Sequence, residues 1–208
     1  MNEYSFLVAI AAALLGGAMS PGPSFLVVAQ NSLSKSRGHG IATAVGTGLG
    51  AALFALLAAL GVTTLLEQTP TVYVVFRVGG GCYLLWLAYR IFRGATEPLQ
   101  EGVVSGERQG GLLSSLLKGL VVQTSNPKTI FIIASIFSAV MPLEPPIHTA
   151  LYVTLIALVI DFGWYAVVAV SLSNNKSRNF YKRTKTHFDR LAACLLFLLS
   201  LKLFTDVL

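Results

Sequence analysis

Charge is scarce in this chain. Asp, Glu, Lys and Arg make up 12% of its 208 residues, about half the ~25% with which a soluble globule clothes its surface. That shortage excludes an ordinary cytosolic enzyme and a disordered tail. There are two cysteines, Cys82 and Cys194, and both fall inside apolar runs, where a free thiol behaves as a small hydrophobe; no disulfide framework and no metal site is expected. The three histidines, His39, His148 and His187, lie in three different connections, so neither a metal cluster nor the Ser–His pair of an intramembrane hydrolase can be assembled from them. No G-x-x-x-x-G-K-[ST] stretch occurs, which removes the phosphate-cradling loop of an ATPase. No cofactor is expected.

Apolar residues are abundant: 54% of the chain is hydrophobic and the mean hydropathy is +0.71. About 20 such residues in a row carry a helix across roughly 30 Å of hydrocarbon. Six stretches qualify: Tyr4 to Gln30, Ile41 to Leu66, Val72 to Phe92, Leu112 to Met141, Ile147 to Leu172 and Leu191 to Val207. The last is short and is expected to borrow a turn from the amphipathic stretch around Phe188. The expected fold is an all-α membrane protein of six transmembrane helices. The first stretch reads as a mature helix: Glu3 is its only early charge, and the small-residue site Ala18-Met19-Ser20 is followed by Pro21, which signal cleavage does not favour.

Basic residues outnumber acidic ones by 15 to 9, and 12 of the 15 sit in three connections, around Lys35/Arg37, Arg90/Arg93/Arg108/Lys118 and Lys176 to Arg190. The connections holding Glu67 and Glu144 carry none. The positive-inside rule makes the basic connections cytoplasmic and puts both termini outside. The excess charge then faces anionic headgroups, so the expected partner is the bilayer and not nucleic acid.

An internal repeat is visible. Ser20-Pro-Gly-Pro-Ser-Phe-Leu-Val-Val-Ala29 lies over Ser125-Asn-Pro-Lys-Thr-Ile-Phe-Ile-Ile-Ala134, with Gly22-Pro23 falling on Asn126-Pro127, an offset of about 104 residues. Three spans per half would make residues 1–104 and 105–208 two inverted three-helix repeats within one transmembrane domain. Proline in a helix leaves the carbonyl four residues earlier unpaired, here at Gly17, Met19 and Gln123. Lipid cannot satisfy such groups, so the first and fourth helices should be broken and face the protein interior. Each break offers carbonyls to a cation and N–H groups to an anion. An α-amino acid carries both charges; simple kinks that shape a bundle are the other reading of the same prolines.

At these residues the chain resembles the LysE/RhtB superfamily of bacterial amino-acid exporters, nearest its threonine/homoserine branch. The resemblance rests on Met19-Ser-Pro-Gly-Pro23, the Gly38/Gly40/Gly46/Gly50 series, Val78-Gly-Gly-Gly-Cys-Tyr-Leu-Leu-Trp86, Tyr89-Arg90, Lys118-Gly119 and Asn126-Pro-Lys128, and runs from residue 15 to about 165. It implies a six-span carrier of the bacterial inner membrane that exports a small amino acid coupled to the proton gradient. Ser24 stands where family members often carry Asp or Asn, and the last span lacks the glycines common in relatives.

The candidate substrate-binding residues are Pro21, Gly22, Pro23, Ser24, Asn126, Pro127 and Lys128, with Tyr83 and Trp86 as cavity walls. Tyr83, Trp86 and Tyr89 share one face of the third helix and serve equally as core or interfacial anchors. Four ionisable residues fall within spans: Arg77, Lys128, Asp161 and Lys202. Each intramembrane charge costs at least ~2.5 kcal/mol and therefore needs a partner, an interfacial position or a function. Arg77 and Lys202 lie near outer ends, where long stems snorkel. Lys128 follows a break and can bind a substrate carboxylate or pair with Asp161. Asp161, the one acidic residue deep in a span, is the candidate for proton coupling, a permanent ion pair being the alternative. Gly46 and Gly50 form a small-xxx-small face suited to intramolecular packing or to a homodimer. A small channel and a scaffold for other subunits remain as competing functions.

Overall fold

Proline decides where the first and fourth apolar stretches break. The computed structural model describes residues 5–68, 70–96, 110–142, 145–173 and 175–205. Among them the regular structure is all α-helix, in eight helices. The first stretch divides into α1 (Ser5–Met19) and α2 (Pro23–Ser34), the fourth into α5 (Leu112–Thr124) and α6 (Pro127–Val140). Each pair bends by 59° at its break. Pro23 and Pro127 open the second helix of their pairs, where a missing N–H costs nothing. The expected register of Gly22-Pro23 on Asn126-Pro127 is thus realised as two equivalent helix starts, with Gly22 and Asn126 as the N-caps. One expected orphan is accounted for: the Gln123 carbonyl accepts from the Asn126 N–H at 3.2 Å.

The remaining helices are α3 (Arg37–Gln68), α4 (Pro70–Gly94), α7 (Thr149–Leu172) and α8 (Asn175–Thr205). Among the described residues, Arg37–Gly61 of α3 and the whole of α7 are each long and apolar enough to cross a membrane, and the bent pairs raise the number of such spans to four. The 24 residues of α7 rise ~36 Å. The short sixth stretch is the C-terminal part of a 31-residue helix. On that same helix a second acid, Asp189, which sequence reasoning missed within the basic connection, is 3% exposed.

Helix α3 is central, packing on α5 and α7, while α4 packs on α8 and α6, and α1 on α7, α8 and α6. Glycine permits the closest of these approaches. A methyl group on Gly46 would run into the Leu116 carbonyl and lie 2.7 Å from Leu120 N, and one on Gly119 would run into the Thr43 carbonyl. On another side of α3, a methyl group on Gly48 would lie 2.9 Å from Phe162 Cβ. The small-residue face therefore serves packing within one chain.

Two apolar clusters form the core. The larger joins Ile10 and Leu14 to Leu84, Ile136, Phe137, Val153 and Leu196. The smaller joins Phe25 and Val28 to Ala44, Tyr165, Val168 and Leu172. Between them lies a belt of buried polar side chains supplied by the two breaks.

Candidate functional site

The belt begins with the caps that the breaks require. Asn126 accepts from the Lys128 N–H at 3.1 Å, the ordinary N-cap bond of α6. Its amide also donates to Ser24 Oγ at 3.2 Å, on the first turn of α2. Ser24 Oγ in turn donates to Gln123 Oε1, and Gln123 Nε2 donates to Asp161 Oδ1 at 3.1 Å. Four side chains from α2, α5, the second break and α7 thus make one chain of hydrogen bonds, and all four are buried. It ends on a carboxylate whose other oxygen, Oδ2, is buried with no hydrogen-bond partner among the described residues. Thr47, buried on α3 beside that carboxyl, gives its own hydroxyl to the Ala44 carbonyl at 2.9 Å.

Lys128 works in the opposite direction. Its Nζ donates to the Ser20 carbonyl at 2.7 Å, across 108 residues of sequence. The Lys128 stem runs over Gly22, where a methyl group would lie 3.4 Å from both Cδ and Nζ. A helix end with unpaired carbonyls carries partial negative charge, so the cation from the second break caps the end of α1 at the first. Asp189 and Asp161 are the acids whose field reaches this ammonium. No ion pair joins Lys128 to Asp161 in this conformation, although both line one cavity.

That cavity measures about 40 Å³ and is walled by Gly17, Gly22, Gln123, Asn126, Lys128, Asp161 and Tyr165, with Leu14, Ile132 and Ile133 on its apolar side. It has room for two or three waters and falls well short of the ~300 Å³ at which small-molecule pockets begin. Admitting an amino acid therefore requires the helices around the breaks to part.

Gly22, Asn126, Lys128 and Asp161 line the cavity directly. Ser24 is one hydrogen bond away, and Pro21, Pro23 and Pro127 set the bends. Tyr83 and Trp86 are not among the cavity-lining residues. Tyr83 stacks at a tilt on Phe131, 5.2 Å between ring centres. Trp86 is 48% exposed and carries the Arg90 guanidinium 5.0 Å from its ring centre. The side chains of Arg77 and Lys202 lie outside the described residues, as do Arg108 and Glu144. Sequence reasoning missed Gln123, which it marked only for its backbone carbonyl; a glutamine deep in an apolar stretch, four residues before the proline, is the signal that could have found it. It also missed Thr47 and Asp189.

Residues 15–207 match the family of LysE type translocators. The Threonine efflux protein of Salmonella typhi is 33% identical over 183 residues, 85% of this chain and 86% of that protein. The Threonine efflux protein of Escherichia coli K12 is 32% identical over 182 residues, with the same shares covered. The Uncharacterized membrane protein YahN of E. coli K12 is 28% identical over 184 residues, 88% of this chain and 82% of its own length. No solved structure matches the chain. The chain belongs to the LysE type translocators: it is a membrane transporter, and not an enzyme.

Proposed function

We propose that this LysE type translocator exports a small neutral amino acid of the threonine and homoserine kind from the bacterial cytoplasm, across the inner membrane, in exchange for protons. The observation that carries the reading is the convergence of both helix breaks on one cavity. The cavity places an ammonium, Lys128, and the N-terminus of α6 within reach of a carboxylate, and the unpartnered oxygen of Asp161 within reach of an ammonium group. A zwitterion satisfies both at once. The names of the two threonine efflux relatives support the same substrate class.

Exchange follows from the chemistry of Asp161. Its Oδ2 can be satisfied by a proton or by the substrate's ammonium group, and the two exclude each other. A carrier that reorients only when this oxygen is satisfied moves substrate one way and protons the other. One inward charge yields about 2.3 kcal/mol per 100 mV, which at ~1.4 kcal/mol per decade sustains roughly a fortyfold outward gradient of a neutral zwitterion.

The architecture proposed for this cycle is six spans in two inverted repeats, residues 1–104 and 105–208, with the bent pairs as the first and fourth spans. The helix contacts support it: α3 packs on α7 and α4 on α8, the pairs that a two-fold exchange would bring together. The α1/α2 pair leans on α7 and α8 as the α5/α6 pair leans on α3 and α4. The basic connections are placed in the cytoplasm and both termini outside. In a variant lacking Cys82 and Cys194, a cysteine at the exposed Ile147 should react with an impermeant thiol reagent added outside intact cells. One at the exposed Gly111 should react only after permeabilisation. The reverse pattern would invert the topology.

Counterflow of labelled threonine in proteoliposomes tests the function. Saturable uptake accelerated by unlabelled threonine inside is expected; flux without such acceleration would make the protein a channel. Pro23→Ala and Asn126→Leu should insert and purify normally, yet weaken half-saturation by about tenfold, equivalent to the ~1.4 kcal/mol expected from a misplaced cap and its hydrogen bonds. Unchanged kinetics in both variants would remove the breaks from the site.

A further inference from the structure

A second depression on the described surface lies away from the transport cavity. It is a groove of about 360 Å³ between α4 and α8, lined by Leu85, Tyr89, Phe92, Cys194 and Phe197, with Arg190 at one end. None of its lining residues among the described ones is acidic. Tyr89 is 58% exposed, Phe92 59% and Phe197 43%, so this is an open apolar wall and not a part of the core.

The guanidiniums are collected at one end of it. Arg190 lies 5.9 Å from the Phe92 ring centre. Arg93 lies 5.8 Å from that of Tyr89 and donates to the Tyr89 hydroxyl at 3.1 Å. Arg90 stands over Trp86 on the adjoining face of α4. Arg190 of α8 thus meets Phe92 on the last turn of α4, and the other described lining residues, Leu85 and Phe197 among them, carry no charge. One end of the groove is therefore cationic and the other purely apolar.

A ligand that fits must be anionic at one end and hydrocarbon along its length. Fixed guanidiniums between helices at the basic face of a membrane protein hold lipid phosphate groups. We propose that this groove binds an anionic phospholipid, its phosphate on Arg190 and Arg93 and an acyl chain along Phe92, Cys194 and Phe197. The two arginines select the headgroup. The aromatic wall accepts chains of any lipid.

Trp86 provides the probe. In a Trp164→Phe variant it is the sole tryptophan, and it neighbours the groove from a half-exposed position. Reconstituted into vesicles with increasing brominated phosphatidylglycerol or brominated phosphatidylcholine, it should be quenched by the first with about fivefold higher apparent affinity. Arg93→Gln with Arg190→Gln should bring the two lipids level and leave threonine counterflow intact. Should the double variant fail to reconstitute, the parent measured near 1 M salt, where the screening length falls to ~3 Å, serves instead and should lose most of the preference. Equal quenching by both lipids in the parent, or a preference that survives both the arginine variant and high salt, would overturn the proposal. Efficient oxidative cross-linking of Cys194 to Cys194 in native membranes would also overturn it, by placing a second copy of the chain on the groove.

Discussion

Replacing Asp161 with Asn is expected to abolish uphill export while leaving exchange down a gradient, at weakened affinity. In proteoliposomes with a one-unit pH difference, a one-for-one proton exchanger sustains about a tenfold threonine gradient. The parent should approach that value and the variant should sustain none. Counterflow at equal pH should persist at raised half-saturation: an amide keeps the acceptor that Gln123 Nε2 uses at 3.1 Å and lets the carrier reorient without a proton, but it turns a donor toward the substrate's ammonium group. The structural alternative is that the carboxylate only ties α7 to its neighbours. That role predicts a different failure, since removing one member of a buried ion pair costs about 3–5 kcal/mol and should show as poor accumulation. The geometry argues for the first outcome: the contact of Asp161 Oδ1 is a neutral amide, and Lys128 Nζ is engaged with Ser20. Full pH-driven accumulation by the variant would sink the coupling role, and loss of folded protein would favour the ion pair.

The breaks were legible in the sequence because proline leaves a covalent mark: it has no N–H to give, wherever the chain sits. Pairing Gly22-Pro23 with Asn126-Pro127 therefore marked where the first and fourth stretches break, and α2 and α6 start at those two prolines. Lys128 and Asp161 were legible as charges in apolar runs, where the cost of burial demands an explanation. What those charges meet was not legible. Lys128 reaches Ser20 and not a carboxylate, since that contact depends on how two distant breaks are brought together. Gln123 enters the site through the packing of α5 on α3, where its Cβ lies 2.8 Å from a methyl group placed on Gly50, a tertiary contact with no local periodicity. Asp189 was hidden by a soft boundary: α8 continues from a basic amphipathic stretch into an apolar one without a cap or proline to mark the change. The face shared by Tyr83, Trp86 and Tyr89 was readable from spacing, but spacing alone does not say which neighbour a face meets. On α4 that face turns toward Phe131 and the surface.

Replacing Gly119 with Val is expected to remove the folded protein altogether. The atom that a side chain at this position would strike is the Thr43 carbonyl, with the Thr43 Cα 3.1 Å away. Backbone cannot yield as a side-chain tip can, so α3 and α5 must separate. Overpacking a well-filled contact costs about 1–3 kcal/mol and sometimes more, and this contact carries other bonds with it. Thr43 accepts from Asn31 Nδ2 at 2.7 Å and donates to the His39 carbonyl at 2.8 Å, so displacing it loosens α2 as well. The same separation would carry Gln123 away from Ser24 and Asp161. Gly61→Val is the control, because a methyl group there meets nothing within 4 Å among the described residues. Membrane accumulation and detergent-solubilised thermal melting should separate the two, with Gly119→Val absent or strongly destabilised and Gly61→Val close to the parent. Truncating the Thr43 side chain to Ala should not rescue Gly119→Val, since the obstruction is the carbonyl and not the side chain. Normal accumulation of Gly119→Val would show that α3 and α5 do not approach at this glycine, and rescue by Thr43→Ala would show that the side chain and not the carbonyl is the obstruction.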